Sequence, residues 1–209
     1  MAIIGLGGLG SFSTQLLART GVGELILIDK DKVELKNLQR QILYTEEDIE
    51  KFKAEQAAQI LQKINSEIII KSRAEELNEE SIKSIKADLV LDCTDNVKTR
   101  ELINEFALQN KIPWVHATCI REIGRVFNII HGGPCYKCIY PQAKRAEKAD
   151  TAGVLNTAVA MTAAIQANEA IKILLNKDYS RQLIRINVWK PEIEMLEVSK
   201  NPKCAACGK

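Results

Sequence analysis

Two groups of residues in this 209-residue chain have types and spacings that suit chemistry. The first begins with Gly5-Leu6-Gly7-Gly8-Leu9-Gly10, followed 19 residues later by Asp29. A G-x-G-x-x-G turn lets backbone approach a phosphate with no Cβ in the way, and the next helix aims its free N–H groups at that anion. An acid at the end of the following strand suits a pair of ribose hydroxyls. A glycine turn also serves simply to pack a helix on a sheet, but its place between a strand and a helix, with Asp29 beyond, favours a nucleotide. The unit does not choose the nucleotide: a nicotinamide-dependent oxidoreductase and an ATP-using enzyme share it. The residues that follow favour ATP. Asp31 is succeeded by Asn37-Leu38-Gln39-Arg40-Gln41 and then Lys53. Arg40 and Lys53 could engage a polyphosphate and stabilise departing pyrophosphate, although either alone reads equally well as a surface base. Asp92-Cys93-Thr94-Asp95-Asn96 closes a strand at its carboxyl end, where ligands bind in such sheets. Asp95 could hold Mg²⁺ and Asn96 could touch base or sugar, with a helix N-cap as the competing reading.

The second group is Cys135-Tyr-Lys-Cys138 and Cys204-Ala-Ala-Cys207. Two C-x-x-C knuckles suit a four-thiolate tetrahedral zinc site, with every position filled and the metal therefore structural. Redox pairs or disulfides are the alternative. Cys93 reads as core, and Cys119 as core or facing the site. His116 and His131 read as hydrogen-bonded structural residues.

Elements that must position these groups follow from periodicity. Helices are predicted over 9–20, 51–64, 79–85, 98–109 and 152–175. Strands are predicted at the Ile3-Ile4 start and over 24–29, 68–70, 88–92, 113–117 and 125–130, with two last strands, 182–189 and 192–198, antiparallel to each other. Apolar strands alternating with helices give an α/β class: a Rossmann-like, mostly parallel sheet with helices on both faces, extended by antiparallel strands and a zinc-stapled C-terminus. Polar Gln142 to Asp150 is predicted to be an exposed crossover. The chain reads as one domain, 1–209.

Composition narrows the function. Twenty-nine basic against 27 acidic residues leave +2, and aromatics are 5%. Neither a nucleic-acid nor a membrane partner is expected. The most apolar stretch, Ala152 to Leu175, is broken by Asn156, Gln166, Asn168, Glu169 and Lys172. With no leader-like opening, a cytoplasmic location is expected.

Taken together, GLGGLGS at 5–11, Asp29-Lys-Asp-Lys-Val, NLQRQ at 37–41, Lys53, DLVLDCTDN at 88–96, PCYKC at 134–138, QANEAIKIL at 166–174 and NPKCAACG at 201–208 resemble the MoeB/ThiF-type enzymes of the ubiquitin-activating superfamily. The resemblance implies adenylation of the C-terminal glycine of a small ubiquitin-like sulfur carrier ending in Gly-Gly, with ATP and Mg²⁺ consumed and pyrophosphate released. It places the Gly7-Gly8 turn against the nucleotide and Asp29 on its ribose. Asn37, Arg40, Gln41 and Lys53 go around the phosphates, Asp95 on Mg²⁺ and Asn96 beside the nucleotide. Arg40, Lys53 and Asp95 are then the catalytic set. The resemblance further implies zinc at Cys135, Cys138, Cys204 and Cys207, a homodimer, and a division into a nucleotide-binding half (1–118) and a carrier-binding half (119–209). Three features depart from the family pattern. The chain begins at the first strand, without the preceding segment whose arginine reaches the partner's nucleotide. Ala149 stands where many relatives carry a cysteine, which favours adenylation without a covalent cysteine step. Asn156-Thr157 replace the usual Gly-Pro. A family member that binds the carrier without turnover, and an NAD-dependent oxidoreductase, are the competing functions.

Overall fold

The computed structural model describes residues 1–141 and 152–208. The expected Gln142–Asp150 crossover, including Ala149, lies outside them. Eight strands form one sheet in the order β3-β2-β1-β4-β5-β6-β7-β8. They are β1 (Ala2–Ile4), β2 (Glu24–Ile28), β3 (Ile69–Arg73), β4 (Val90–Asp92), β5 (Trp114–Ile120), β6 (Ile123–Ile129), β7 (Leu183–Asn187) and β8 (Glu192–Leu196). The first five are parallel, and β6, β7 and β8 add antiparallel. The helices are α1 (Gly8–Thr20), α2 (Lys53–Ile64), α3 (Val97–Asn110), the single turn α4 (Tyr136–Ile139) and α5 (Asn156–Leu174).

Side chains alternate across the central strands and are buried on both faces. Ile3, Leu25, Leu27, Leu91 and Val115 join one apolar cluster with residues of α1, α2 and α5. Ala2, Ile4, Ile26, Ile28, Val90 and Trp114 join the other with residues of α3 and α4. Strands covered on both sides read as continuous apolar runs, which is why the sequence marks them clearly. The two edges depart from that expectation. No residue of β3 is buried, and all five residues of β8 are exposed.

One expected helix is absent. Over 79–85 the chain makes only a 3₁₀ turn, Ser81–Ser84. Asn78 Oδ1 accepts the N–H groups of Glu80 and Ser81, and Ser84 Oγ donates to the Ser81 carbonyl. Such local side-chain bonds compete with helix propagation. The polar residues that interrupt the apolar run of α5 have a structural use. Fully buried Gln166 donates from Nε2 to the carbonyls of Asp92 (2.7 Å) and Val115 (3.1 Å). Its Oε1 accepts from Ser13 at 3.3 Å and Cys93 at 3.4 Å, so one amide joins α1, α5, β4 and β5. Glu169 accepts from Asn128 and from the Ser180 amide in the same buried layer. No helix among the described residues is long and apolar enough to cross a membrane.

Candidate functional site: a cleft at the strand-order reversal

The chain leaves β1 toward β2 and β3, then returns to place β4 on the other side of β1. Strand order therefore reverses between β1 and β4, and ligands of open α/β sheets bind beyond the carboxyl ends of the strands at such a point. A cleft of about 960 Å³ opens there. Gly7, Gly8, Asp29, Asn37, Arg40, Gln41, Lys53, Asp95 and Asn96 all line it. Every nucleotide-site residue expected from the sequence is thus brought to one place.

The glycine turn splits into two jobs. Gly5 has φ +88°, and a Cβ on Gly10 would lie 2.1 Å from the Gly5 carbonyl oxygen, so these two glycines let the turn close. Gly7 and Gly8 face the cleft. A Cβ on Gly8 would stand 3.1 Å from Val159 and 3.7 Å from Arg40, so a side chain there would crowd two residues that line the cleft. Gly7 caps α1 with no side-chain bond, and the first turn of that helix holds no acid. The end of α1 thus presents uncompensated positive character to the cleft.

Asp29 sits just beyond β2. Its Oδ2 accepts the Leu6 N–H at 2.6 Å and its Oδ1 accepts the Asp31 N–H at 2.8 Å, which ties the glycine turn to β2. Burial raises its pKa, opposed by the Lys53 charge and by both amides. Buried Lys53 starts α2, with Nζ 3.5 Å from Asp31 Oδ2. Asn37 and Gln41 are buried beside the turn. Asn37 Oδ1 also accepts the Glu34 N–H at 3.3 Å, closing the 3₁₀ turn Leu35–Asn37. Gln41 Oε1 is buried without a hydrogen-bond partner, and Gln41 Nε2 stands 3.6 Å from where a Gly7 Cβ would be. An orphaned acceptor and a glycine cradle on the same wall are what a polar ligand would complete. Asp95 is exposed at the end of β4. Its neighbour Asn96 is the N-cap of α3, accepting the Thr99 N–H at 2.9 Å, so the capping alternative falls on Asn96 and leaves Asp95 open.

Several positions had no role in the sequence reading. The Tyr44 hydroxyl, buried, lies 3.0 Å from the Leu6 carbonyl and 3.3 Å from that of Lys53, bridging the glycine turn to α2. Asp92 and Arg100 sit behind Asp95, joined to His116, the histidine expected to be structural. The sequence signal for Arg100 was only its place one helical turn after Asn96. Cys93 is core as expected, and burial pushes its thiol well up. Cys119 lines the cleft, with burial raising its thiol to about 11.

Elsewhere, the four Sγ atoms of Cys135, Cys138, Cys204 and Cys207 lie within 4.8 Å of one another. Separations of 3.7 Å (Cys135–Cys204), 3.5 Å (Cys138–Cys207) and 4.0 Å (Cys135–Cys138) match the edges of a tetrahedron with Zn–S bonds of about 2.3 Å, whose edge is about 3.8 Å. They exceed by far the ~2.0 Å of a disulfide. The Asn201 amide donates to Cys138 Sγ at 3.4 Å, a bond that favours thiolate. The donor set and its spacing fit zinc.

Known proteins are similar to this chain in sequence and fold. The chain is 33% identical over 215 residues to the SAMP-activating enzyme E1 of Haloferax volcanii, covering 100% of this chain and 80% of that protein. It is 37% identical over 213 residues to the molybdopterin-synthase adenylyltransferase of Escherichia coli, covering 99% and 86%. The sulfur carrier protein ThiS adenylyltransferase of Bacillus subtilis is 34% identical over 214 residues, covering 99% and 64%. Among solved structures, E. coli MccB with ATP superposes with TM-score 0.86 at 28% identity, covering 99% of this chain and 66% of that one. The chain thus spans about two thirds of the MccB chain and four fifths or more of two of these relatives. The ThiF family model matches residues 1–206, and the chain belongs to the ThiF family.

Proposed function

We propose that this chain joins AMP to the C-terminal glycine carboxylate of a small ubiquitin-like sulfur carrier ending in Gly-Gly and releases pyrophosphate, with no covalent step on a cysteine of its own. The observation that carries this reading is the single cleft that gathers a glycine-lined helix end, a ribose-suited acid, two bases and an open acid. Relatives named SAMP-activating enzyme E1, sulfur carrier protein ThiS adenylyltransferase and molybdopterin-synthase adenylyltransferase support it.

The reaction asks little of acid–base chemistry. A terminal carboxylate is already ionised at neutral pH. One of its oxygens bonds to the α-phosphorus. The bond from that phosphorus to the bridging oxygen breaks, and its electron pair departs with pyrophosphate. The protein supplies alignment and charge. The N–H groups at Gly7 and Gly8 and the start of α1 meet the phosphates. Asp29 retains lone pairs beyond its two amide bonds for ribose hydroxyls. Arg40 and Lys53 offset the charge gathering on the leaving group, with Asn37 and Gln41 beside them. Asp95 would hold the Mg²⁺ that comes with the nucleotide, which would offset phosphate charge, and Asn96 lies beside the nucleotide. The buried, high-pKa thiols of Cys93 and Cys119 are poor nucleophiles, which fits a reaction that ends at the acyl-adenylate. Zinc at the four remaining cysteines is structural. The active form is a homodimer, with residues 1–118 serving the nucleotide and 119–209 the carrier.

The test is calorimetric titration of the zinc-loaded chain with Mg·ATP and, separately, NAD, then ATP–pyrophosphate exchange with a Gly-Gly-ended carrier. Saturable Mg·ATP binding, no response to NAD and carrier-dependent exchange are expected. NAD binding alone would replace the reading with an oxidoreductase. Carrier binding without exchange would leave a non-catalytic family member.

A further inference from the structure

His116 is buried in the core with one nitrogen in use and the other idle. It stands on β5 directly opposite Asp92 of β4, and neither side chain has any exposure. His116 Nδ1 lies 2.6 Å from Asp92 Oδ2. Against the opposing effect of burial, His116, Arg100 and Thr94 hold Asp92 below the ordinary carboxylate pKa, so it is ionised and can only accept. Nδ1 therefore carries the ring proton, and Nε2 keeps a lone pair. That Nε2 is buried without a hydrogen-bond partner. Three aromatic rings enclose the imidazole, with centroids 5.2 Å (Tyr136), 5.7 Å (Tyr140) and 5.8 Å (Trp114) away. A phenylalanine would suit such a cage without the cost of an unsatisfied nitrogen. What the imidazole adds is its bond to Asp92.

The other oxygen of that carboxylate holds the cleft from behind. Asp92 Oδ1 accepts the Thr94 N–H at 2.9 Å and the Thr94 hydroxyl at 2.7 Å. Thr94 lines the cleft immediately before Asp95. A carboxylate is one rigid plane on a soft torsion. With Oδ2 fixed, Oδ1 stays aimed at Thr94; with Oδ2 released, the plane can turn and the grip loosens. Arg100 does not substitute, because its Nε stands 3.6 Å from Oδ2 and is itself without a hydrogen-bond partner. Among the described residues, His116 supplies the hydrogen bond that fixes Oδ2.

We propose that His116 is a positioning residue of the nucleotide site: by fixing the Asp92 carboxylate from Nδ1 it sets Thr94, and with it the place of Asp95 in the cleft. The inference rests on reading the cleft as a Mg·ATP site. It separates two properties of one side chain. The donor at Nδ1 serves the metal and nucleotide, and the ring serves packing.

The test compares the zinc-loaded full chain with His116→Asn and His116→Phe. Asparagine puts an amide N–H where Nδ1 stands and removes the rest of the ring, whereas phenylalanine keeps a ring and removes the donor. Mg·ATP affinity is measured by calorimetry, the Mg²⁺ concentration for half-maximal binding by titration at fixed ATP, and melting by circular dichroism. His116→Asn should melt about 5 °C lower, the mark of a cavity in the aromatic cage. Its Mg·ATP affinity and Mg²⁺ requirement should nevertheless stay within about twofold of the natural sequence, because the charge-assisted bond to Asp92 is kept. His116→Phe should bind Mg·ATP about tenfold more weakly and need about tenfold more Mg²⁺, the scale of losing that bond. Ring packing alone dictates the opposite order, with asparagine the more damaging to binding, and that order overturns the proposal. So does a natural Mg²⁺ requirement in His116→Phe. Should His116→Phe fail to fold, Thr94→Val decides: it removes the hydroxyl that Asp92 grips and leaves the His116–Asp92 pair intact. An Mg²⁺ requirement raised about fivefold supports the proposal, and an unchanged one overturns it. These outcomes leave the ATP site standing, whereas failure of the natural sequence to bind Mg·ATP overturns both readings.

Discussion

The two ends of the sheet solve the same problem by different means. Around β1, β2 and β4, apolar side chains are buried on both faces, and the polar residues of the cleft stand at strand ends that this packing already fixes. Around β8 there is no such cover. All five residues of that strand are exposed, and in the tail from Pro202 to Gly208 only Cys204 is buried. Where a core exists, position follows from burial. Where it does not, the chain needs a crosslink, and four cysteine sulfurs at tetrahedral spacing would provide one once a metal joins them. Damage at the first end should therefore show in chemistry with stability preserved, and damage at the second in stability and local order.

The largest effects test the first half of that contrast. Arg40→Ala and Asp95→Ala should each lower ATP–pyrophosphate exchange by about a hundred- to a thousandfold. Thermal melting should stay within about 2 °C of the natural sequence, because Asp95 is exposed and Arg40 only partly buried. Full exchange in Asp95→Ala would remove that residue from the reaction. At the other end, Cys207→Ser should release zinc and cost on the order of 3 kcal/mol, the scale of losing a long-range crosslink. Hydrogen exchange should then rise in β8 and the tail while α1 and β1 stay protected. A uniform loss of protection would mean that the staple supports the whole sheet and the contrast is wrong.

Gln166→Ala tests whether the core end is as self-sufficient as it looks. The change opens a cavity beneath Cys93 and leaves the Asp92 and Val115 carbonyls without their donor. A loss of about 2–4 kcal/mol is expected in denaturant unfolding. Gln166→Glu should be at least as harmful, since an ionised carboxylate has no N–H for either carbonyl.

Acid should reveal the layer between the two ends. Burial lowers the His116 pKa below its ordinary 6.5, although the Asp92 bond opposes this, so the folded ring is neutral. Asp92 is pulled below its ordinary value by His116, Arg100 and Thr94 against the opposing effect of burial. The unfolded chain takes up the histidine proton first. His116 should therefore cost stability as pH falls below 6.5 toward its folded value, at up to about 1.4 kcal/mol per pH unit. The stabilising contribution of Asp92 should persist above the unfolded carboxylate value near 3.9 and disappear only as pH drops through its still lower folded pKa. Urea unfolding of His116→Gln should lack the first slope and keep the second.

Legibility in the sequence followed the same divide. Central strands were readable because burial on both faces writes continuous apolar runs. The edge strand β3 shifted from the predicted 68–70 to Ile69–Arg73, where one neighbour and solvent set weaker demands. Residues with unusual types at fixed spacing, such as Gly8 and Asp29 in the cleft and the four cysteines of the separate cluster, announced themselves. Asp92 and Arg100 did not, because a buried ion pair and an ordinary strand-end acid look alike until the fold sets β4 beside β5 and α4 above α3. The 3₁₀ turn at Ser81–Ser84 was missed because Asn78 captures the amides a helix would have used.

Tyr44→Phe should have the smallest effect and is informative for that reason. The hydroxyl is the only group of this side chain that bonds the glycine turn, and phenylalanine keeps the ring in the core. Loss of one neutral hydrogen bond should cost about 1 kcal/mol of stability. If burial alone positions the turn, nucleotide affinity should not change. If the Leu6 carbonyl needs its donor, the turn gains freedom just where Asp29 holds the neighbouring amide, and the Mg·ATP dissociation constant should rise two- to fivefold with kcat nearly unchanged, the mark of an interaction equal in ground and transition states. We expect the rise, because the same hydroxyl also lies 3.3 Å from the carbonyl of Lys53 and so links both sides of the phosphate path. A lower kcat with unchanged affinity would instead place its effect on Lys53 in the transition state.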